Sequence, residues 1–220
     1  AATVDVILSR SITGNSIGAK LTIPQGTLFT DSSGNSWLSA RDVIWYSNVT
    51  TCKVPIIQHE RYTASALNNM VIPTGDRVIL NLGTLPNGKY YEQGSMSLRI
   101  GGETWVLVDT FAKSKPTDKH FMVSVDESLS PYIMFGDGTF GKKPAAGAKI
   151  TNVVFYLTNG TQGNVKSNTI TSVPSVISSS ITDATVSNAY DAGGGSNYEN
   201  FTMLKEHIPL SVKTMGVAIT

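Results

Sequence analysis

The stretch VILNLGTLPNGKYYEQGSMSLRIGGETWVLV, residues 78–108, decides the fold class of this chain. Residues 78–82 form a run of apolar, strand-forming side chains, and residues 86–88 read Pro-Asn-Gly, in which the Asn-Gly step favours a tight hairpin turn. Apolar and polar residues then alternate through residues 96–100, as they do in a half-buried strand, and residues 104–108 form the next apolar run. The stretch therefore predicts consecutive short β-strands joined by turns.

The same pattern extends to both sides of this stretch. Further strand-like runs lie at residues 4–8, 21–23, 43–46, 121–125, 132–135 and 153–158. They are spaced by about 8–15 residues with turn signals between them, which favours antiparallel β architecture over βαβ units. We therefore predict a mainly β chain with one or more antiparallel sandwich-like or barrel-like domains, an extended arm and one C-terminal amphipathic helix.

The composition changes after residue 158 and suggests how the chain is divided. Residues 159–180 are dominated by Gly, Asn, Thr and Ser, which is typical of a linker or an extended arm. We predict a β-rich body over residues 1–160, as one domain or two small β units. Residues 161–195 are predicted as an extended arm with a strand at 181–186 and a triple-glycine hinge, and residues 196–220 as a C-terminal helical segment.

The helix prediction rests on residues that follow the three glycines. Ser196 and Glu199 have the spacing of a capping box, and Pro209 ends or kinks the helix. The apolar residues at helical spacing, which we predict to be assembly contacts, are Tyr198, Phe201, Leu204 and Ile208. Whether this helix docks on its own chain or on a partner stays open. Because the chain begins at Ala1 without an initiator Met and breaks off soon after the helix, we expect it to be a truncated piece of a longer protein.

Charge and cysteine content exclude several classes of protein. Only 33 of the 220 residues are charged and the net charge is +1, so the basic surplus of a nucleic-acid-binding protein is missing. Cys52 is the single cysteine and has no partner for an internal disulfide. The longest apolar run has five residues, over 153–157, which is far below the roughly 20 needed to span a bilayer. We therefore expect neither nucleic-acid binding nor membrane insertion.

One glycine motif imitates a nucleotide-binding loop. Gly136-Asp137-Gly138-Thr139-Phe140-Gly141 matches the Gly-x-Gly-x-x-Gly pattern and follows a predicted strand. A dinucleotide site needs a helix to begin there, whereas Pro144 and Gly147 follow and no helical pattern appears. The motif therefore predicts a tight turn with φ > 0 at its glycines, flanked by Phe135 and Phe140 packing inward.

No residue pattern in the sequence indicates catalysis or a cofactor. His59, His120 and His207 lie far apart and outside the spacings of known zinc sites. Cys52 and His59 lack the surrounding signature of a thiolate pair, and a buried cysteine acting as a small apolar residue explains Cys52 better. We expect no catalytic, cofactor-binding or metal-binding residues, and we do not expect an enzyme.

A carbohydrate- or cell-surface-binding β domain is the alternative to a structural role. Sugar rings stack on exposed aromatic side chains, and Trp37, Trp45 and Trp105 are the natural candidates. The apolar neighbours of Trp45 and Trp105 favour burial of these two residues instead.

Several ordered motifs of the chain resemble a known family. The segment Tyr132-Ile-Met-Phe-Gly-Asp-Gly-Thr-Phe-Gly-Lys-Lys-Pro144 resembles the Phe-Gly-Asp-Gly turn of phage baseplate wedge proteins. The hairpin that contains Ile23-Pro-Gln-Gly-Thr27 and Gly34-Asn-Ser-Trp37 is similar to one of theirs, as are Asn159-Gly-Thr-Gln-Gly-Asn164 and Gly193-Gly-Gly-Ser-Asn-Tyr-Glu199. Together they resemble the baseplate J-like family, and most closely the wedge subunit of T-even-type contractile tails.

This resemblance implies a structural protein of the virion tail baseplate, assembled in the host cytoplasm and without catalysis. Family members form a homodimer or ring around the tail tube, bind other wedge proteins and the sheath-initiating subunit, and rearrange when the tail contracts. We expect the arm at 159–180 and the hinge at 193–195 to let the terminal helix shift against a neighbouring subunit.

Overall fold

A computed structural model describes residues 1–11, 20–64, 67 and 69–198. Strands make up 41% of the structure and helices 5%, and the sheets are barrel-like and half-barrel in form. The prediction of a mainly β chain with barrel-like sheets is therefore confirmed. By contrast, the predicted C-terminal helix lies outside the described residues.

Sixteen strands and one α-helix follow one another within the described residues. The first eight strands are β1 (Thr3–Ser9), β2 (Lys20–Ile23), β3 (Leu28–Asp31), β4 (Ser36–Ser39), β5 (Val43–Tyr46), β6 (Thr51–Ile57), β7 (Glu60–Thr63) and β8 (Ile79–Asn81). The next eight strands are β9 (Tyr90–Tyr91), β10 (Ser97–Ile100), β11 (Glu103–Leu107), β12 (His120–Val125), β13 (Pro131–Phe135), β14 (Ile150–Thr158), β15 (Ile170–Ser172) and β16 (Thr185–Ser187). The helix is α1 (Ser175–Ser178), and a 3-10 turn covers Gly160–Gly163.

The chain folds into two compact units that do not follow the order of the sequence. Unit 1 consists of residues 1–62 and 156–196, and unit 2 consists of residues 63–155 together with the described residues 197 and 198. In the sequence, residues 63–155 thus interrupt unit 1. The predicted boundary near residue 160 differs from this division, because residues 156–196 complete the sheet that residues 1–62 begin.

Unit 1 is built on a six-stranded sheet with the strand order β15-β3-β4-β6-β1-β16. Its neighbouring strands all pair antiparallel, and the longest pairing joins β1 to β6 from Thr3↔Ile57 to Ser9↔Thr51. Alternate residues of these strands point into one apolar core, as the two-residue period of a strand requires. The large core side chains include Leu8, Ile23, Phe29, Trp37, Trp45, Ile56, Ile170, Ile177 and Ile181.

A two-stranded ribbon, β2 with β5, adds to unit 1. Trp45 on its inner face is fully buried and donates its indole N–H to the Val49 carbonyl at 3.2 Å. The Arg10 guanidinium lies 4.9 Å from the centre of the Trp45 ring, a cation–π distance. On the outer face, Ile44 and Tyr46 remain 42% and 54% exposed. The ribbon therefore has one face in the core and one face in solvent, where Ile44 and Tyr46 lie opposite Thr22 and Lys20.

The predicted arm at residues 161–195 is an integral part of unit 1. Strand β15 pairs with β3, β16 pairs with β1, and Ile170, Ile177, Ile181, Val186 and Ala192 are buried in the core. The predicted strand at 181–186 is shorter and later, since only Thr185–Ser187 pairs. These residues therefore do not form an extended arm. They contain few apolar side chains, but nearly all of those side chains are spaced so that they reach the core.

Unit 2 is built on the second large sheet, whose strand order is β7-β14-β10-β11-β12-β13-β8, with β9 also paired to β14. Its buried residues include Leu98, Trp105, Phe121, Ile133, Ile150 and Val153. Trp105 and Phe135 meet edge to face, with their ring centres 5.3 Å apart. The strands that residues 78–108 predict are β8, β10 and β11 of this sheet.

One pairing in this sheet departs from the predicted antiparallel pattern. Strands β11 and β12 are parallel, with Val106↔His120 and Leu107↔Phe121. Parallel neighbours need a crossover connection of about a dozen residues, and residues 108–119 supply it through a series of turns. Within the described part of the chain, no helix is long and apolar enough to cross a membrane.

Candidate functional site

Of the four predicted assembly contacts, the structure places one. Tyr198 is half-buried on unit 2, whereas Phe201, Leu204 and Ile208 lie outside the described residues. The hydroxyl of Tyr198 donates a hydrogen bond to the Tyr91 carbonyl at 3.0 Å, and its ring centre lies 6.3 Å from that of Tyr90. Tyr198 thus attaches the start of the terminal segment to strand β9.

The environment of this attachment keeps both tyrosines neutral. Burial raises the pKa of Tyr198, with a further contribution from the negative charge of Glu92. Burial, followed by the effect of Tyr198, raises the pKa of Tyr91 to about 12. The Tyr91 ring also meets Phe155 edge to face at 5.5 Å. An uncharged, mostly apolar contact of this kind suits attachment of a segment and not proton transfer.

The three glycines that precede this segment are fixed to unit 1. Gly193 exchanges backbone hydrogen bonds with Thr3 at 2.8 and 3.1 Å, and Gly195 exchanges two with the Asn164 side chain at 2.8 and 2.9 Å. A Cβ on Gly195 would collide with the Gly160 carbonyl. The predicted hinge is therefore hydrogen-bonded to unit 1, and glycine is needed at Gly195, where the chain passes close to the Gly160 backbone.

The turn at residues 136–141 is organised by Asp137. Its Oδ1 accepts hydrogen bonds from the backbone N–H groups of Thr139 at 2.8 Å and Phe140 at 2.9 Å. These two bonds hold the pKa of Asp137 below its ordinary value, with a smaller contribution from Arg77. Gly138 and Gly141 adopt φ of 96° and 82°, as predicted for a tight turn. Asp137 therefore stabilises the turn, and its Oδ1 atom is occupied by two backbone N–H groups of the same turn.

The prediction for the two phenylalanines beside this turn is half wrong. Phe135 is buried, but Phe140 is 53% exposed, because the turn reverses the chain before Phe140 reaches the core. A Cβ on Gly136 would collide with the backbone of Phe140 and Gly141, so this position also requires glycine. The turn consequently presents Phe140 at the surface.

Phe140 is part of an apolar groove of about 570 Å³ in unit 2, which we call the β8 groove. Its principal apolar lining residues are Ile79, Phe111, Met122, Met134 and Phe140. Of the lining residues within the described part of the chain, Arg77 and Asp137 are charged. Ile79 is 55% exposed, so the groove is open to solvent along β8. Flexible methionines beside exposed aromatic rings are typical of surfaces that bind apolar segments.

Strand register explains how the floor of the groove forms. Met122 pairs with Met134, and Met134 pairs with Ile79, so three apolar side chains lie in one row across β12, β13 and β8. Their neighbours Phe121, Ile133 and Leu80 point to the opposite, buried face. Sequence analysis missed this row. Each of the three strands has an apolar residue at an outward-facing position, which is a visible signal. That these residues lie side by side follows only from the register between the strands.

In unit 1, the resemblance motif at residues 23–37 forms a hairpin around Asp31. The carboxylate accepts hydrogen bonds from the backbone N–H groups of Ser33 and Asn35, both at 2.9 Å, and from the Trp37 indole at 3.2 Å. Burial opposes the charge on Asp31, but hydrogen bonds from Asn35, Trp37 and Ser33 outweigh it and lower its pKa. This is a structural carboxylate with its acceptors filled.

All three tryptophans proposed for sugar stacking are buried. Trp37 and Trp45 are completely inaccessible and Trp105 is 4% exposed. None of them presents a ring face to a ligand, so the tryptophans do not support the carbohydrate-binding alternative. Among the residues that the structure describes, the exposed aromatic ones are Tyr46, Phe140 and Tyr190.

The titratable residues considered for chemistry lie in ordinary structural settings. Cys52 points into the core of unit 1, where burial raises the pKa of its thiol, and the His59 ring stacks on Tyr156 at 4.9 Å. Nδ1 of His120 shares a 2.8 Å hydrogen bond with the Ser114 hydroxyl. Among the residues that the structure describes, no group of three His, Cys, Asp or Glu side chains could hold a metal ion.

Comparison with known proteins gives no assignment for this chain. No family model matches it. A search of curated proteins also finds no match. The motifs, the β8 groove, the Tyr198 attachment and the exposed β2–β5 ribbon are thus the features from which a function is inferred.

Proposed function

We propose that the chain is a structural subunit of the baseplate wedge in a contractile phage tail. In this proposal it forms a homodimer or ring around the tail tube, binds other wedge proteins and the sheath-initiating subunit, and rearranges during contraction. It is assembled in the host cytoplasm, remains in the virion as part of the baseplate and catalyses no reaction.

The observation that carries this proposal is the apolar surface on each unit. In unit 1, Ile44 and Tyr46 lie on the exposed face of the β2–β5 ribbon, opposite Thr22 and Lys20. In unit 2, Ile79, Val106 and Phe140 are each more than half exposed. With only 33 charged residues in 220 and a net charge of +1, the chain as a whole carries little charge to keep copies apart. Such surfaces suit a protein that neighbouring subunits cover.

The geometry of the family-like motifs gives further support. Gly26 and Gly34, in the hairpin motif, have φ of 79° and 83°, a conformation that side chains with a Cβ rarely adopt. In the second motif, Gly136 is required by close backbone approach and Asp137 by two N–H donors. The residues that carry the resemblance are thus ones on which local backbone structure depends, as expected of a fold signature.

The hydrogen bonds of residues 193–198 bear on which part of the chain is proposed to rearrange. Residues 193–195 are hydrogen-bonded to unit 1, and Tyr198 is hydrogen-bonded to unit 2. The three glycines are therefore not proposed as the shifting element. Hydrogen exchange on assembled particles before and after contraction tests the rearrangement: identical protection across residues 159–215 in both states contradicts the proposed rearrangement.

The assembly proposal itself is tested by light scattering on the chain alone and with candidate wedge proteins. We expect a dimer or larger species, or a stable complex with at least one wedge protein. A strict monomer that binds none of them contradicts the proposal.

A surface variant tests whether the β2–β5 ribbon is part of the interface. Replacing Ile44 and Tyr46 together by Asp should weaken association at least about tenfold, because charges on the ribbon face would have to be desolvated in an interface. Thr104→Asp, at an exposed polar position of β11, is the matched control and should associate normally. Equal association of both variants with the unaltered chain would remove the ribbon from the interface.

A further inference from the structure

The sequence contains two Asn-Gly pairs, Asn87-Gly88 and Asn159-Gly160. An Asn-Gly pair can change without an enzyme, because glycine has no side chain to hinder attack of its backbone nitrogen on the side-chain Cγ of the asparagine. In this reaction the N–Cγ bond forms, the Cγ–Nδ2 bond breaks, and the side-chain nitrogen leaves as ammonia with the proton of the glycine N–H. Water then opens the resulting succinimide ring at one of its two carbonyls and gives aspartate or isoaspartate. The freedom of the two residues in the folded chain therefore decides which pair reacts.

The first pair, Asn87 and Gly88, is exposed and weakly held. Both residues lie in a turn, and both are exposed. Within the described part of the chain, neither the Asn87 side chain nor the Gly88 N–H makes a hydrogen bond. Apart from the immediate chain neighbours, no described atom lies within 4 Å of a Cβ built on Gly88. Both reacting groups are therefore free to approach each other.

The turn itself offers little resistance to this approach. Among the described residues, it is closed by one backbone hydrogen bond, from the Lys89 N–H to the Pro86 carbonyl at 3.0 Å. The φ of Gly88 is 73° and that of Asn87 is not positive, as in a type II turn. The flanking strands pair with different neighbours, β8 with β13 and β9 with β14, so no ladder between β8 and β9 clamps the turn. Rotation of the peptide between Asn87 and Gly88 therefore breaks at most this one bond.

The second pair is held firmly in unit 1. Asn159 is only 6% exposed, its backbone N–H donates to Oε1 of Gln58 at 2.7 Å, and its Nδ2 donates to Oδ1 of Asn35 at 2.6 Å. The carbonyl of Gly160 is packed against Gly195. Attack at this pair would have to break the Nδ2 bond and turn a buried backbone. The same dipeptide in this setting is therefore an internal comparison for Asn87.

We propose that Asn87 and Gly88 form a self-modification site, at which the folded chain slowly converts Asn87 to aspartate and isoaspartate while Asn159 stays intact. Each event consumes one water, releases one ammonia and replaces a neutral amide by a carboxylate. The net charge of the chain therefore falls from +1 to zero. The inference concerns this turn alone and does not depend on the baseplate proposal.

Isoaspartate at position 87 also changes the path of the main chain. The backbone then runs through the former side chain and is longer by one methylene group, about 1.5 Å, within a turn that has a fixed four-residue geometry. Strand β9 begins two residues after Gly88, and its Tyr91 carbonyl accepts the hydrogen bond from Tyr198. The isoaspartyl form should therefore loosen the attachment of Tyr198. Aspartate keeps the ordinary backbone and should leave the attachment intact.

Peptide mass spectrometry of the folded full chain, incubated at about pH 8.5 and about 37 °C, tests the proposal. The peptide that contains Asn87 should gain about 1 Da, as an amide becomes an acid, and its product should include isoaspartate. This gain should be at least about tenfold faster than that of the peptide that contains Asn159. In urea, which removes the structural difference, the two pairs should react within about threefold of each other. An unchanged Asn87, a product without isoaspartate, equal rates in the folded chain, or a tenfold difference that persists in urea overturns the proposal.

Two matched variants locate the charge change in the intact chain, where ion-exchange chromatography follows the acidic species over time. Asn87→Gln should form this species at least about tenfold more slowly, because its longer side chain would have to close a six-membered ring. Asn48→Gln, at an exposed asparagine followed by valine, should leave the rate unchanged. Equal rates for Asn87→Gln and the unaltered chain would place the charge change elsewhere and overturn the proposal.

The effect on Tyr198 is tested by fluorine NMR on chains labelled with fluorotyrosine, in which Tyr198→Phe identifies the Tyr198 signal. In the isoaspartyl form, separated by chromatography, this signal should move toward its position in urea. In Asn87→Asp, which adds the charge without the extra methylene group, it should keep its position. A signal that is the same in the isoaspartyl form and the unaltered chain, or that moves equally in Asn87→Asp, overturns the link between the lengthened turn and the attachment.

Discussion

The indole N–H of Trp37 donates a hydrogen bond to the carboxylate of Asp31 at 3.2 Å, and both residues are buried in unit 1. The bond joins the end of β3 to β4 across their turn, which Asp31 also closes through the N–H groups of Ser33 and Asn35. One carboxylate therefore fixes the turn and the position of Trp37, one of the two tryptophans in the core of unit 1.

Asp31→Asn should lower the free energy of unfolding by about 1.5–3 kcal/mol, because an amide nitrogen would replace one acceptor oxygen among donors that need a charged acceptor. Urea denaturation monitored by tryptophan fluorescence measures this change. Asp109→Asn, at an exposed position, is the control and should stay within about 0.5 kcal/mol. Equal stability of the two variants would mean that the Asp31 bonds are energetically neutral.

The lowered pKa of Asp31 also predicts how stability depends on pH. A carboxyl group with a folded-state pKa below its ordinary value of 3.8 stabilises the protein above that pH and loses this contribution as pH falls through the folded-state value. The stability difference between the unaltered chain and Asp31→Asn should therefore shrink between pH 6 and about pH 2.5. A difference that stays constant over this range would contradict the assignment.

Gly195→Ala should destabilise the chain by about 1–3 kcal/mol, because its Cβ would overlap the Gly160 carbonyl and approach the Asn164 side chain. Gly193→Ala is a matched control two residues away, since nothing lies within 4 Å of a Cβ there and its φ is not positive. Thermal denaturation of both variants measures the contrast. If the glycines were a free hinge, the two substitutions would have the same small effect.

Asn188→Ala should cost about 2–4 kcal/mol, because the buried Asn188 side chain makes four hydrogen bonds at once. Its oxygen accepts from the N–H groups of Thr169 and Ile170, and its nitrogen donates to the carbonyls of Lys166 and Tyr190. Asn87→Ala, in an exposed turn, is the control for urea denaturation. A loss below about 0.5 kcal/mol for Asn188→Ala would show that water replaces these bonds.

The thiol of Cys52 should react with a disulfide reagent at least about tenfold more slowly in the folded chain than in urea, because it is buried and its pKa is raised. The absorbance of the released thiolate follows the reaction, and free cysteine at the same pH calibrates the reagent. Equal rates in buffer and in urea would place Cys52 at the surface.

Local patterns predicted most of the strands, and long-range contacts account for what they did not predict. The alternation over residues 96–100 and the apolar run at 104–108 correspond to β10 and β11. These strands were predictable because the alternation of buried and exposed side chains along one strand is visible in its own sequence. Residues 159–195 looked like a free arm. Their order depends on side chains such as Asn188, whose partners lie up to 22 residues away and leave no local signal.

The same reason explains what was missed at the candidate site. Gly136 and Asp137 were recognised as a turn from their own sequence. The β8 groove, in contrast, is formed by the register of Met122, Met134 and Ile79 on three strands. Strand β6 was also missed. It contains Pro55, whose carbonyl accepts a hydrogen bond from the Ala40 N–H just after β4 ends. Because the N–H and C=O of a strand residue point to the same side, the N–H that proline lacks would also point there, where β4 no longer pairs. The proline therefore costs the sheet no hydrogen bond.

The pairing of β1 with β16 delays completion of the unit 1 sheet while the chain is being synthesised. Ile7 meets Ser187, so one side of the first strand made has no partner until 180 further residues have been added. At about 5–20 residues per second, a ribosome needs about 9–36 s for this, and all of residues 63–155 emerge in the meantime. Unit 2 has its continuous sequence available first, while the edge of β1 stays open to other nascent chains. Low expression levels, which reduce the number of nascent chains that can meet this open edge, should therefore increase the yield of correctly closed protein.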